Sequence, residues 1–512
     1  MSETATLTMQ RIKPAYGFWL IWIFLSAYLG VFKALPKSPE SVHQGAQCDR
    51  ACVAWNYYHE SMNFFMPRVS EDRQSEGVTG MEFPVIPYSA ALLYKIFGPH
   101  DFIYRFLMYV LVSLGVFHAW KITGLFIQQN IHRLLLVFGW YCSPVLVFYT
   151  PNFLADSGAM AFVMMAWYYL LLRIYGVEPD RNLRRYSLWM SLAGLLKISF
   201  LIYGIAGFML LYLWRFFKNQ PLQVVLTRRD FWWMLVPAIP VSAWYGYSGW
   251  LTRKTSNMHF LQSMNPAESI KELIQNSQTA INNWQESLYR PGFFVYFMIV
   301  LLILLVLRLR DALLPGLAAI LMISGFGAIW ILFNRQFLYH DYYFILFFPA
   351  LFFGWLFLQQ LFQEQRQVFL GCASIGMGVA FWVIPFMNAG HAAHMMNRRY
   401  ATGDYYHQNA FPETEELVAQ SDTLKKVIPE GARIFYAFDN TPNTALYLMK
   451  KRGVRISKDF GPEITADILS KSRAKFLVLN DTALWFSHYE PRLKTGARAV
   501  YHQKNTHVYR LP

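Results

Sequence analysis

Long apolar stretches separated by short basic ones recur between residues 15 and 388. A helix needs about 20 apolar residues to cross a hydrocarbon layer about 30 Å thick at about 1.5 Å per residue. Segments near 15–32, 102–120, 133–151, 154–174, 231–250, 292–307, 312–333, 342–361 and 367–388 read as such spans. The run Tyr186–Trp214 is too long for one span and too short for two. Arg181, Arg184 and Arg185 precede it, and Arg215, Lys218, Arg228 and Arg229 follow it. Lys and Arg are retained on the cytoplasmic side, so both flanks lie there and the run folds back as two short helices with a turn near Lys197. The first span follows Arg11 and Lys13 and lacks a small-residue cleavage site, which predicts an uncleaved anchor with a cytoplasmic N-terminus. The total is about 11 membrane helices.

This topology puts the connections 33–101, 151–156, 251–291 and 334–341 outside, together with the tail 389–512. In the tail the apolar share falls. RIFYAFD (433–439), KFLVLND (475–481) and ARAVYHQ (497–503) alternate like strands, and TALYLMKKRG reads as helix. The predicted fold class is an α-helical polytopic membrane protein with a transmembrane domain over 1–388 and a small C-terminal soluble α/β domain over 389–512. Connection 33–101 is long and aromatic; Cys48–Phe65 has helical spacing, and VIPYSAALLYKIFG reads as an amphipathic helix on the membrane surface.

Composition supports a lipid-facing surface: of 512 residues 55% are apolar, 18% aromatic and only 15% charged, which rules out disorder. The net charge of +15 lies between the apolar runs and not along one stripe, so membrane topology accounts for it better than nucleic acid does. Four cysteines without a C-x-x-C pair exclude a disulfide scaffold and a zinc ribbon. There is no Walker-A loop, no G-x-G-x-x-G after a strand and no Asp-x-Asp pair for a metal-bound nucleotide sugar.

Apart from the run containing Lys197, the spans carry almost no interior charge, whereas a carrier coupled to protons or ions needs charge in mid-span. Polar groups gather at the outer face instead: Asp49, Glu82, Arg105, Asp156, Lys197, Arg335, His340 and Asp341. This pattern suits chemistry at the membrane boundary. Each residue also has a plain reading. Asp49 fits a solvated loop, Glu82 and Asp156 fit charges at helix starts, Arg105 fits an interface anchor, and Lys197 fits a snorkelling cation. Arg335 and His340 fit a solvated loop. Cys48 and Cys52 flank Asp49 four residues apart, a spacing that strains a disulfide within a helix, so free thiols are expected. His43, His59, Glu60 and Glu82 are candidate metal ligands without compact spacing.

An Asp early in the first outer loop, E-F-P at 82–84 before an apolar helix ending in Phe97-Gly98, and Arg105 soon after resemble the polyprenyl-phosphate-dependent glycosyltransferases of the GT-C fold. The protein O-mannosyltransferases and the lipid A aminoarabinose transferases are the branches most like it. Further matches are F-L-A-D-S (153–157), G-L-L-K (194–197) and H-D-Y-Y (340–343) followed by Pro349; the likeness covers roughly residues 15–360. It implies Asp49 as catalytic base or acceptor-orienting carboxylate and Glu82 as a second cavity carboxylate. It implies Lys197, Arg105, Arg335 and His340 as ligands of the donor phosphate, with Asp156, Asp341, Tyr342 and Tyr88 in support. Many relatives carry a second acid beside this Asp, whereas here Arg50 follows. The sequence identifies no certain cofactor, and a divalent metal is a candidate.

The expected function is transfer of a sugar from a polyprenyl-phosphate donor to a lipid, glycan or protein acceptor, by inverting displacement at the periplasmic face of a bacterial inner membrane. A lipid-linked sugar transporter or flippase and a diphosphate-linked oligosaccharide ligase or polymerase are the alternatives.

Overall fold

The computed structural model describes residues 15–73, 75–219, 227–257, 259–260, 264–364, 372–409 and 414–512. Arg11, Lys13 and the opening of the last expected span lie outside them.

Two compact units form. The first comprises Met1–Ala34, Met108–Trp244 and Ser263–Asn397; the second comprises Leu35–Leu107, Tyr245–Gln262 and Arg398–Pro512. The boundary expected at 388/389 falls inside one helix, Cys372–Tyr400.

Among the described residues five helical stretches are long and apolar enough to cross a membrane: Asp101–Thr123, Asp156–Ile174, Ile198–Phe217, Phe293–Leu332 and Asp341–Gln363. The 40-residue stretch among them holds helices Phe293–Arg308 and Leu313–Leu332, separated by a 3-10 turn over Leu309–Ala312. Other expected spans are broken into shorter helices. The 133–151 segment divides into Asn130–Tyr141 and Pro144–Tyr149, because Pro144 disfavours helical geometry at the residue before it and opens the second piece. Segment 231–250 divides into Arg228–Leu235 and Ala238–Thr255. The first helix, Ala15–Tyr28, stops short of Gly30, whose φ is +78°.

The expected turn at Lys197 is present. Helix Pro179–Leu196 ends there, Lys197 is extended (φ −154°, ψ 109°), and a 3-10 turn over Ile198–Leu201 leads into helix Ile202–Phe217. Within the first unit, helix Asp156–Ile174 packs along Pro179–Leu196 and is buried over most of its length. Small residues permit close helix approach there: a Cβ on Gly115 would lie 2.5 Å from that of Ala161.

The second unit is built on a five-stranded sheet of order β2-β1-β3-β5-β4. Its strands are β1 (Arg433–Ala437), β2 (Arg452–Ile456), β3 (Phe476–Leu479), β4 (Arg498–Gln503) and β5 (Thr506–Arg510). The first three are parallel, and β5 and β4 continue antiparallel. Phe435, Val454, Leu477, Leu479 and Trp485 form its core. The three expected strands are present; β2 and β5, each with charged or polar side chains among five residues, add to them.

The long connection contributes the expected helix Val85–Phe97 and a helix Gln44–His59, which begins before Cys48 and ends short of the expected Phe65. Its segment around Glu71 joins the edge of the sheet, where Asp72 N–H donates to Gly453 O (2.8 Å) and Gly453 N–H to Ser70 O (3.2 Å). Gly453 is required here, since a Cβ would stand 1.9 Å from Ile434 O.

Candidate functional site

Three buried or half-buried carboxylates of the second unit set up its chemistry. Asp49 lies in the second turn of helix Gln44–His59, Glu71 on the sheet-edge segment, and Glu82 before helix Val85–Phe97. Glu82 pairs with Arg50 (Nε–Oε1 2.7 Å), and both are more than nine-tenths buried. Glu71, 4% exposed, meets His259 (Nε2–Oε2 3.2 Å) and Arg73 (Nε–Oε1 3.5 Å).

Asp49 is different. Among the described residues it forms no ion pair; its bond comes from a neutral amide, with Asn443 Nδ2 donating to Asp49 Oδ1 at 2.7 Å. Burial pushes the Asp49 carboxyl above its ordinary value, the Asn443 bond and the charges of His259 and Arg50 oppose this, and Glu82 adds to it.

Local sequence explains how Asn443 reaches that position. It follows β1 and precedes the short helix Thr444–Leu448. The turn between is tied by Asp439, which accepts from Thr441 N–H (2.8 Å), Thr441 Oγ1 (2.8 Å) and Ala445 N–H (2.9 Å). Asn443 Oδ1 accepts from Glu71 N–H at 2.8 Å, so the amide is held at both ends. The turn lies at the carboxyl end of a parallel strand, where α/β sheets place ligand sites.

The sequence reasoning missed Glu71, His259 and Asn443. Glu71 stands in the acidic run SEDRQSE and His259 in the connection 251–291, but no spacing links them to Asp49. Among the described residues no group of three or more His, Cys, Asp or Glu is placed to hold a metal ion; His43, His59, Glu60 and Glu82 do not converge on one. Cys48 and Cys52 are buried free thiols, and burial raises both. Tyr88 packs edge-on against Tyr57 (5.2 Å) and Phe64 (5.0 Å).

Arg105 is fully buried: Nε donates to Lys37 O (2.7 Å), and Nη2 donates to Ser38 O (3.0 Å) and to Gln47 Oε1 (3.4 Å). This geometry anchors the start of the long connection.

A second constellation belongs to the first unit. Lys197, released from helical geometry at the break, places Nζ 3.4 Å from Asp156 Oδ1 and 5.0 and 5.6 Å from the ring centres of Tyr343 and Tyr342. Asp156 opens its helix, and Asp341, fully buried, accepts from Tyr149 Oη at 2.6 Å. Four residues that the sequence singled out, Lys197, Asp156, Asp341 and Tyr342, thus come together here. His340 stacks near Tyr342 and Tyr343 (5.2 and 6.0 Å). Arg335 points to other partners, Glu272 (2.6 Å) and Glu268 (2.8 Å). An ammonium between a carboxylate and two aromatic faces can exchange part of its coordination for an incoming anion.

Solved structures share this architecture. ArnT from Cupriavidus metallidurans in the apo state matches 97% of this chain and 98% of its own, with a TM-score of 0.61 at 12% identity. The fold is the GT-C fold. The same ArnT bound to undecaprenyl phosphate gives a TM-score of 0.60 at 12% identity over the same coverage. A second GT-C structure, the oligosaccharyltransferase AglB from Archaeoglobus fulgidus in complex with an inhibitory peptide and a dolichol-phosphate, matches 97% of this chain and 74% of its own (TM-score 0.55, 9% identity). The same archaeal enzyme also matches as a complex with Zn and sulfate (TM-score 0.53, 12% identity). No family profile and no curated protein sequence matches the chain.

Proposed function

We infer that this chain is a multi-pass membrane glycosyltransferase that moves a sugar from a polyprenyl-phosphate donor to an acceptor at the periplasmic face of a bacterial inner membrane. The observation that carries this reading is the environment of Asp49. Glu71 and Glu82 face cationic or imidazole partners, whereas Asp49 is fixed by a neutral amide and stays proton-accepting. A general base needs that combination of fixed orientation and raised basicity. The likeness of fold to an ArnT bound to undecaprenyl phosphate supports a lipid-linked donor.

In the reaction an acceptor hydroxyl or amine attacks the anomeric carbon with inversion while Asp49 takes its proton. The bond from that carbon to the phosphate oxygen breaks, and the electron pair leaves with the polyprenyl phosphate, which gains a negative charge. Lys197 meets that charge, with His340 beside it and Asp156 and the Asp341–Tyr149 pair holding the cation's surroundings in place. Glu82, locked by Arg50, orients the acceptor. Arg105 serves as a positioning residue for the long connection and Tyr88 as part of its aromatic wall. Arg335 contributes if it leaves its glutamates.

The test uses purified full-length protein in liposomes, supplied with labelled polyprenyl-monophosphate sugars and, separately, diphosphate-linked oligosaccharide. Transfer from the monophosphate donor, abolished by Asp49→Asn with donor binding retained, supports the reading. Transfer from only the diphosphate donor refutes the donor assignment. Lipid translocation without transfer, indifferent to Asp49→Asn, refutes the enzyme.

A further inference from the structure

The second unit contains a pocket that the transferase reading does not use. It has a volume of about 230 Å³ and lies where the N-terminal ends of β1 and β2 meet the last turn of helix Gln44–His59. Asp49 is ten residues back along that helix, about 15 Å at 1.5 Å per residue.

Five cations line the pocket, Lys425, Arg433, Lys450, Lys451 and Arg452, against the two carboxylates Glu60 and Glu430; Trp55 and His59 form a wall. Three cations are consecutive because the turn K-K-R enters β2 through Lys450 in the left-handed region (φ 53°), a conformation that non-glycine residues adopt at a cost.

Three of them pair with carboxylates that stand outside the lining. Lys425 meets Asp422 (2.7 Å), Arg433 meets Asp72 (2.6 Å) and Lys450 meets Asp101 (3.5 Å); none of these three carboxylates lines the cavity. Lys451, 6% exposed, donates to the carbonyls of Ile428 (2.7 Å) and Pro429 (3.1 Å). It has no carboxylate within salt-bridge distance among the described residues, and its third N–H is unspent. Arg452, 5% exposed, donates through Nη2 to Glu76 O (2.6 Å) and lies 2.7 Å from Glu60 through Nη1, while its Nε finds no hydrogen-bond acceptor. Burial disfavours the charged forms of Lys450, Lys451 and Arg452, and it holds His59 below its usual value.

Buried cations with spare donors, gathered around a small cavity, are stabilised by a compact anion that accepts several hydrogen bonds. We propose that this pocket binds a phosphomonoester group, the dianion of a phosphorylated sugar or lipid headgroup. The third N–H of Lys451 and the Nε of Arg452, beside the Lys425 and Arg433 heads, suit the several oxygens of a tetrahedral phosphate better than the two of a carboxylate. Lys197 is not among its lining residues, and the proposal does not depend on the transferase reading.

The test is calorimetry on the full chain in phosphatidylcholine nanodiscs, titrated with inorganic phosphate. Saturable binding is expected, stronger at about pH 8 than at about pH 6 because the second ionisation of inorganic phosphate lies between the two values and the dianion prevails at the higher. Lys425→Gln and Lys451→Met should each weaken it about tenfold, as loss of a charged hydrogen bond does. Lys197→Met should leave the component sensitive to those two substitutions intact. Displacement of bound phosphate by a hexose phosphate would identify a sugar-phosphate source. Loss of the phosphate heat in nanodiscs containing phosphatidic acid would identify a lipid headgroup. Absence of phosphate binding, affinity unchanged in both lysine variants with wild-type melting temperatures, or sulfate binding of equal strength would overturn the proposal.

Discussion

Replacing Asn443 with Leu tests the reasoning about Asp49 most directly, because it removes a neutral donor and leaves every charge in place. The bond from Asn443 Nδ2 to Asp49 Oδ1 measures 2.7 Å, and such a bond to an ionised carboxylate is worth about 1.5–3 kcal/mol. If the whole of it supports the ionised base, kcat/KM falls about ten- to a hundredfold near neutral pH. The pH profile carries the sharper signature. Burial already raises the Asp49 carboxyl, and Asn443 is the largest influence opposing that rise. Without it the carboxyl moves further up, so the acidic limb of kcat/KM shifts to higher pH. A separate stability loss of about 1–3 kcal/mol follows from stripping Glu71 N–H of its acceptor, and thermal unfolding measures it independently. Infrared difference spectra of ¹³C-aspartate-labelled protein, wild type minus Asp49→Asn, follow the carboxyl itself without a substrate. If the carboxyl band and the acidic limb of Asn443→Leu both coincide with wild type while Asp49→Asn is inactive, Asn443 does not tune the base and the argument fails.

Three further outcomes are expected. Asp49→Asn should be inactive yet at least as stable as wild type at neutral pH; a carboxyl raised in the native state binds its proton more tightly there than when unfolded, so its penalty is absent at low pH and grows as pH rises from the unfolded value through the folded one. Melting curves recorded against pH check this, and destabilisation by the substitution at neutral pH would contradict it. Asp156→Asn should cost about 3–5 kcal/mol because it leaves a buried ammonium without its carboxylate, while adding Lys197→Met should recover much of that loss. Denaturation in detergent that shows simple additivity would dismiss the pair. Gly453→Ala should be among the most destabilising single changes in the second unit, since its Cβ would stand 1.9 Å from Ile434 O; limited proteolysis of the tail should accelerate, and a wild-type digestion rate would disprove the close packing.

The legible parts of this chain were those with strong local signals. The break at Lys197 was readable because a 29-residue apolar run bounded by arginines on both sides can close only by turning back. Helix Val85–Phe97 and strands β1, β3 and β4 followed from periodicity. Segments 133–151 and 231–250, each broken into two helices, read as continuous spans because hydropathy registers apolarity and not backbone hydrogen bonding. Glu71, His259 and Asn443 were invisible for another reason. They meet across 188 and 372 positions of sequence, and nothing in a single sequence ties a turn asparagine to an aspartate in another segment.

That long-range closure also bears on why the tail exists. A base in the first outer connection could have been oriented by a neighbouring cation, and Arg50 stands next to it in sequence. Such a pairing would hold the carboxylate in place but suppress its basicity, since an adjacent guanidinium stabilises the ionised form. Here Arg50 is committed to Glu82 at 2.7 Å and the orienting bond comes from an amide, which fixes geometry while adding no charge. The amide is in turn positioned by the Asp439 turn at the end of β1 and by the main chain at Glu71. The sheet domain is therefore more than a passive cover in this reading: it supplies a neutral donor that orients Asp49, while burial raises the carboxyl against that bond. A chain truncated after helix Cys372–Tyr400 should accordingly lose transfer even where its membrane helices still assemble.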